Sequence, residues 1–286
     1  RIPLTLLRSR IDLGALAVPT LVWGGLRGGI SIALALSLPN GPYRTAIVAA
    51  TFVIVLFSVI IQGGSIGGLI GRLWERKDLP APVAEYVELV RRMNPDRRLK
   101  KYPGSPFFTL WTLRDQDRMR LFELHSKDAR LLKENFESAD KQVIVSPTDG
   151  FAGLKALLPP PSRRGMVLID PSYEEKQDYD RVFHALKEAL TRFPGGTYAV
   201  WYPQLTRLDA RELPQRLKRL PAKSWLNVAL RVREPAKDGF GMHGSGMFVL
   251  NPPWTLHDAL AGAMPFLVEA LREDAGADFT LKQQAG

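Results

Sequence analysis

Residues 45–71 form a run of 27 positions without one charged side chain, opening TAIVAATFVIVLFSVII. Few folds accept such a run. A soluble helix normally keeps a polar face, whereas a membrane helix needs about 20 predominantly apolar residues. A second span, residues 16–38, is apolar apart from Arg27. The turn-like stretch NGPYR, residues 40–44, joins the two. The pattern predicts a two-helix membrane hairpin, with a buried helical pair in a soluble protein as the alternative. Arg8 and Arg10 flank the first span, and Arg72, Arg76 and Lys77 follow the second. The positive-inside bias therefore places both ends in the cytoplasm, with Arg44 counting the other way. Arg27 sits among glycines in WGGLRGG. A charge there faces protein or a water-filled path, or else lies at the membrane interface.

The composition changes at about residue 72. Residues 1–72 carry six Arg, no Lys and one acid, Asp12, while the remainder carries 33 Lys or Arg and 28 acids. Each part thus contributes +5 to the chain's net charge of +10. The second part reads as an ordinary globular domain. A basic balance of this size favours anionic partners, either nucleic acid or a membrane surface. The chain has no cysteine, which excludes disulfides, thiolate metal sites and a thiol nucleophile. No cleavable leader is visible, because no short charged start precedes a compact apolar core and a small-residue cleavage site.

Beyond Lys77, apolar runs alternate with amphipathic stretches. A Pro-capped helix is expected over 79–93, followed by a rigid turn at YPGSP, residues 102–106. Strands are expected at 119–124, 142–146, 166–169, 198–202, 225–232 and 247–250, and helices at 129–136, 151–158, 179–193, 209–217 and 256–271. This alternation predicts βαβ units and a mostly parallel sheet covered on both faces, with an antiparallel edge near the end. Ligands in such folds bind at the carboxyl ends of the strands.

The strongest chemical signal is Asp170-Pro171-Ser172-Tyr173, which follows the strand expected at 166–169. The exocyclic amine of adenine is a poor nucleophile because its lone pair is delocalised into the ring. A carboxylate and the next backbone carbonyl can accept its two N–H groups and aim the nitrogen at a methyl donor. Pro171 fixes the backbone, and Tyr173 offers a face on which a base can stack. An Asp capping a helix after a Pro turn would look the same. Asn251-Pro252-Pro253-Trp254 also follows an apolar strand, and spacing alone does not choose between the two. Glu123 closes another strand, where a carboxylate can bind ribose hydroxyls or simply lie at the surface. Asp149-Gly150 follows the next strand and suits either an adenine amino group or a helix cap. His125 reads as structural, and no metal-ligating set stands out. Arg91, Arg92, Arg97, Arg98, Lys100 and Lys101, with Ser162-Arg163-Arg164 just before the Asp170 strand, suit phosphate contacts near the mouth of the sheet or a solvated face.

Two family resemblances follow from these stretches. WGGLRGGISIALALSLP and TFVIVLFSVIIQGGSIGGLI resemble the last two membrane helices of CPA1-type sodium/proton antiporters, with Arg27 matching that family's arginine. The acidic ion site of that family has no counterpart here. YPGSP, FELH, DGF, SRRGMVLIDPSYE, YAVWYP and SGMFVLNPPW resemble the RlmJ family of bacterial 23S rRNA adenine-N6 methyltransferases, from about residue 72 to 278. That resemblance implies a Rossmann-like fold, S-adenosyl-L-methionine as donor and an unpaired or flipped adenine of 23S rRNA as acceptor. It makes Asp170 the catalytic acid, with Pro171 and Tyr173 beside it. It also puts Ser105, Glu123, Asp149 and Gly150 at cofactor positions and leaves NPPW as a second element of the pattern. Ser172 replaces the family's second proline. The family's first strand, with its Gly-rich cofactor turn, has no match here, so weakened donor binding and an incomplete sheet with an exposed edge are expected. The expectation is an α/β chain in two parts. Residues 1–72 form a membrane-type hairpin, and residues 73–286 form an incomplete Rossmann-like methyltransferase domain. The chain is expected to be monomeric and free of metal, with a cytoplasmic domain tethered to the inner membrane through residues 16–71. The rivals are an antiporter fragment and a catalytically dead RNA-binding module.

Overall fold

The computed structural model describes residues 30–34 and 66–286. Eight strands form one sheet: β1 (Ile30–Leu34), β2 (Arg118–Phe122), β3 (Val143–Ser146), β4 (Met166–Ile169), β5 (Thr197–Gln204), β6 (Trp225–Arg231), β7 (Gly244–Leu250) and β8 (Asp278–Gln284). Their order is β3-β2-β1-β4-β5-β7-β6-β8. The helices are α1 (Ile66–Trp74), α2 (Ala81–Arg92), α3 (Ser105–Thr112), α4 (Ser126–Asn135), α5 (Gly150–Leu157), α6 (Gln177–Arg192), α7 (Leu208–Leu217) and α8 (Leu256–Leu271).

The expectation of a mostly parallel sheet needs correction. β2, β3, β4, β5 and β6 do run the same way, but β1 lies reversed between β2 and β4, and β7 lies reversed between β5 and β6. Only β2–β3 and β4–β5 are direct parallel pairs. The antiparallel edge is β8, whose alternating DFTLKQQ is too polar to stand out as a strand by composition. β4 is MVLI, buried at every position, as a central strand covered on both faces must be.

β1 overturns two expectations. Residues 30–34 lie within the first predicted membrane span, yet they form a strand. Ile32 pairs with Arg120 on one side and Val167 on the other. Ile-Ser-Ile-Ala alternates β-branched and small residues, a pattern that suits a pleated strand as well as an apolar helix. Without it β2 and β4 would each present a row of unpaired backbone groups, so the sheet that was expected to be incomplete is continuous there. The rest of the predicted hairpin lies outside the described residues, apart from its last residues in α1. Among the described residues no helix is long and apolar enough to cross a membrane.

α1 crosses the composition boundary at residue 72. Ile70 and Leu73 are fully buried in the same core as Val83, Tyr86, Val87 and Val90 of α2 and Leu260, Met264 and Leu267 of α8. α6 buries Tyr179, Val182, Leu186, Ala189 and Leu190 along one face. Gly153 of α5 lets that helix lie close against Phe122 at the end of β2, since a Cβ there would overlap the ring. Close approach at this point holds the start of α5 near the strand ends.

Candidate active site

β2, β3, β4 and β5 share one direction, so their last residues meet along one edge. Glu123 follows β2, Asp149 follows β3 and Asp170 follows β4. The structure therefore brings three of the predicted acids to one side of the sheet.

Asp170 is 9% exposed, set directly after the buried Ile169. The chain then turns sharply, with Tyr173 in the left-handed region at φ 53°. The Tyr173 ring is 3% exposed and packs against Tyr179 and Trp201, at 4.7 and 6.0 Å between ring centres. Its hydroxyl donates to the Trp201 carbonyl at 2.7 Å. The ring thus has no open face for a base in this conformation, because Trp201 of β5 and Tyr179 of α6 already cover it. The sequence carried Trp201 in YAVWYP and Tyr179 on the buried face of α6, but nothing local linked them to Tyr173.

Glu123 is 5% exposed. Burial pushes its carboxyl above the ordinary value, while the His125 amide, donating to Oε1 at 2.8 Å, pulls it back. A buried carboxylate is costly unless donors reach it. Vicinal hydroxyls of a ribose would supply them. His125 itself caps α4, with Nδ1 3.1 Å from Asp128.

Asp149 caps α5, accepting the Phe151 amide at 2.9 Å. Its second oxygen takes Arg181 Nη2 at 2.7 Å. Arg181 lies 4.6 Å over the Phe151 ring and 3.5 Å from Asp178. An adenine amino group would reach Asp149 only by sharing or displacing this guanidinium. Burial raises the Asp178 carboxyl, opposed by Arg181 and by the Tyr173 amide. Arg181 therefore ties the start of α6, just after the Asp170 loop, to the start of α5 beyond β3, a role no spacing rule would have found. Gly150 is the buried first residue of α5. Ser105 is the buried first residue of α3, its carbonyl accepting the Thr109 hydroxyl at 2.9 Å.

The second candidate loop lies elsewhere. β7 runs against β5, so Leu250 pairs with Tyr198 at the beginning of β5. Asn251 follows at the amino edge, opposite Asp170, with φ 50°. Its Nδ2 donates to the carbonyls of Pro194 and Gly196, and its Oδ1 accepts the Lys223 amide. Geometry thus separates two loops that the sequence alone could not rank. Arg163 and Arg164 precede β4 and so also lie at the amino edge, not at the mouth where the phosphate reading put them. Arg91 and Lys100 of the other basic group are committed locally, Arg91 to the Trp74 carbonyl and Lys100 to Asp96.

A sheet in which β7 turns back between β5 and β6, with acids closing β2, β3 and β4 along one edge, has the plan of an α/β methyltransferase. The description "Ribosomal RNA large subunit methyltransferase D, RlmJ" matches residues 61–281, and the chain belongs to that family. It is 43% identical over 214 residues to the ribosomal RNA large subunit methyltransferase J of Haemophilus influenzae, covering 74% of this chain and 75% of that one. It is 41% identical over 198 residues to the protein of the same name from Escherichia coli, covering 69% and 70%. A crystal structure of a Legionella pneumophila protein aligns with 86% of this chain and 98% of its own at 28% identity, with a TM-score of 0.70. A further stretch of 59 residues is 56% identical to the Na(+)/H(+) antiporter NhaP of Pseudomonas aeruginosa, covering 21% of this chain and 14% of that one.

Proposed function

We propose that the carboxyl edge of the sheet methylates the N6 amine of an adenine in 23S rRNA, with S-adenosyl-L-methionine as donor. The observation that carries this reading is the placement of Asp170 on the same edge as Glu123 and Asp149, with Asn251 on the opposite one. Asp170 and the Pro171 carbonyl accept the two N–H groups of the amine. That draws the lone pair out of the ring plane and points it at the incoming carbon. The donor, when bound, would supply a methyl on a positively charged sulfur, and Asp170 would take up the proton that the amine gives up on accepting it. Glu123 takes the donor's ribose hydroxyls, and Asp149 takes its adenine once Arg181 yields. Low solvent access around Asp170 keeps water from competing for the amine.

The test uses the full chain, because β1 belongs to the sheet and α1 to the core packed with it. Protein-free 23S rRNA is incubated with methyl-labelled donor and wild type or Asp170→Ala. We expect wild type to produce N6-methyladenine and the variant to lose about 10²-fold or more in rate, the usual scale for a group acting on the reacting atoms. Equal rates would remove Asp170 from the mechanism.

The apolar run at residues 45–65, ahead of α1 and antiporter-like in sequence, is proposed to tether this domain to a membrane. Membrane fractionation tests the tether: recovery of the full chain wholly in the soluble fraction would reject it.

A further inference from the structure

The N-P-P-W loop takes no part in the reaction just described, yet the fold invests in it. Asn251 holds a left-handed backbone that a non-glycine residue adopts at a cost, and such strain persists where the surroundings over-determine it. Its side chain and backbone tie together the loops before β5 and β6. The Thr197 hydroxyl donates to its carbonyl at 3.0 Å, and the Thr197 amide reaches the Gly165 carbonyl before β4. Four loops, 159–165, 193–196, 218–224 and 251–257, therefore meet at the amino edge. They contain five cations, Arg163, Arg164, Lys218, Arg219 and Lys223, against the single acid Asp258 just after the last loop. Arg163, Arg164, Arg219 and Lys223 are exposed. Among them stands Trp254, 78% exposed on a loop stiffened by two prolines.

We propose that this amino edge is a second RNA-binding surface, with Trp254 stacking an unpaired base and Arg163, Arg164, Arg219 and Lys223 contacting phosphates. The proposal rests on the reading that the substrate is ribosomal RNA. An exposed aromatic beside an excess of cations is the combination that binds single-stranded nucleic acid without reading its sequence. Arg164 and Asp170 are separated by the length of β4, roughly 20 Å at 3.3 Å per residue. A short oligonucleotide carrying the target adenine occupies one edge only. A folded RNA can engage both, so the second edge selects for large, structured substrate.

The test measures binding of the full chain to a long protein-free 23S rRNA fragment and to a short oligonucleotide. The variants are Trp254→Ala, Trp254→Phe and the triple change Arg163→Ser, Arg219→Ser, Lys223→Ser. Trp254→Ala is expected to weaken binding of the long RNA about tenfold, with Trp254→Phe close to wild type. The triple change is expected to flatten the slope of log affinity against log salt by about 2, from about 0.7 to 0.9 per lost phosphate contact. Neither change should alter short-oligonucleotide binding or the maximal methylation rate. Unchanged long-RNA binding in both Trp254→Ala and the triple variant would overturn the proposal. So would loss of binding to anionic phospholipid vesicles in the triple variant with RNA binding intact, which would assign the surface to a membrane. A wild type that never methylates yet shows these binding losses would sink the catalytic reading and leave this one standing.

Discussion

Tyr173 is held in two ways at once, by its ring between Tyr179 and Trp201 and by its hydroxyl on the Trp201 carbonyl. Those holds can be separated. Tyr173→Phe keeps the ring and deletes the hydroxyl, leaving a carbonyl unmatched, and should cost about 1–2 kcal/mol of stability. Tyr173→Ala empties a buried aromatic site and should cost about 3–5 kcal/mol. If the ring leaves the core to stack the target base, the Phe variant should retain or gain activity while the Ala variant loses it. If the ring only braces the loop, activity should follow stability in both, as chemical denaturation and single-turnover rates would show. Glu123 predicts a dependence on pH. Its carboxyl is raised in the folded chain above the ordinary value of about 4.3. Between the unfolded and folded values the native state binds the extra proton, so stability falls as pH rises through that window. Donor binding needs the carboxylate and runs the other way, weakening as pH falls through the raised value. Glu123→Gln should flatten the stability slope and weaken donor binding about tenfold or more by calorimetry. A Gln variant with wild-type donor affinity would remove the ribose role.

At the scale of elements, the pieces with strong periodicity were legible and those defined by partners were not. α6 announces itself through Val182, Phe183, Leu186 and Leu190, and β4 through an apolar run bounded by Gly165 and Pro171. α3 was hidden because YPGSP reads as a turn, although Gly104 and Pro106 in fact set the first turn of a helix. β1 was hidden for a deeper reason. Four apolar residues and Ser31 inside a long apolar span satisfy either period, and only the gap between β2 and β4 decides in favour of the strand. Ile32→Pro tests that decision. The ring removes a backbone donor in a strand paired on both sides, which should cost on the order of 2–4 kcal/mol and lower the melting temperature by about 5–10 °C. Little change would show that β1 contributes nothing to the sheet. The site was legible as a set of acids at strand ends. Its latch was not, because Arg181 reaches Asp149 across 32 positions.

Taken as a whole molecule, the chain cannot be divided at residue 72 without damage. A piece covering 73–286 loses β1 and the fully buried Ile70, and it opens the edges of β2 and β4 to solvent. Open edges pair with other chains. That piece should therefore associate in a concentration-dependent way by sedimentation, whereas the full chain in detergent remains monomeric. A monodisperse, stably folded fragment would contradict the fold as described. The residues that complete the sheet belong to the stretch that resembles an antiporter, and they enter it backwards. A vacancy in the middle of a sheet thus tests a candidate for its alternation and its length, and is indifferent to ancestry and to heading.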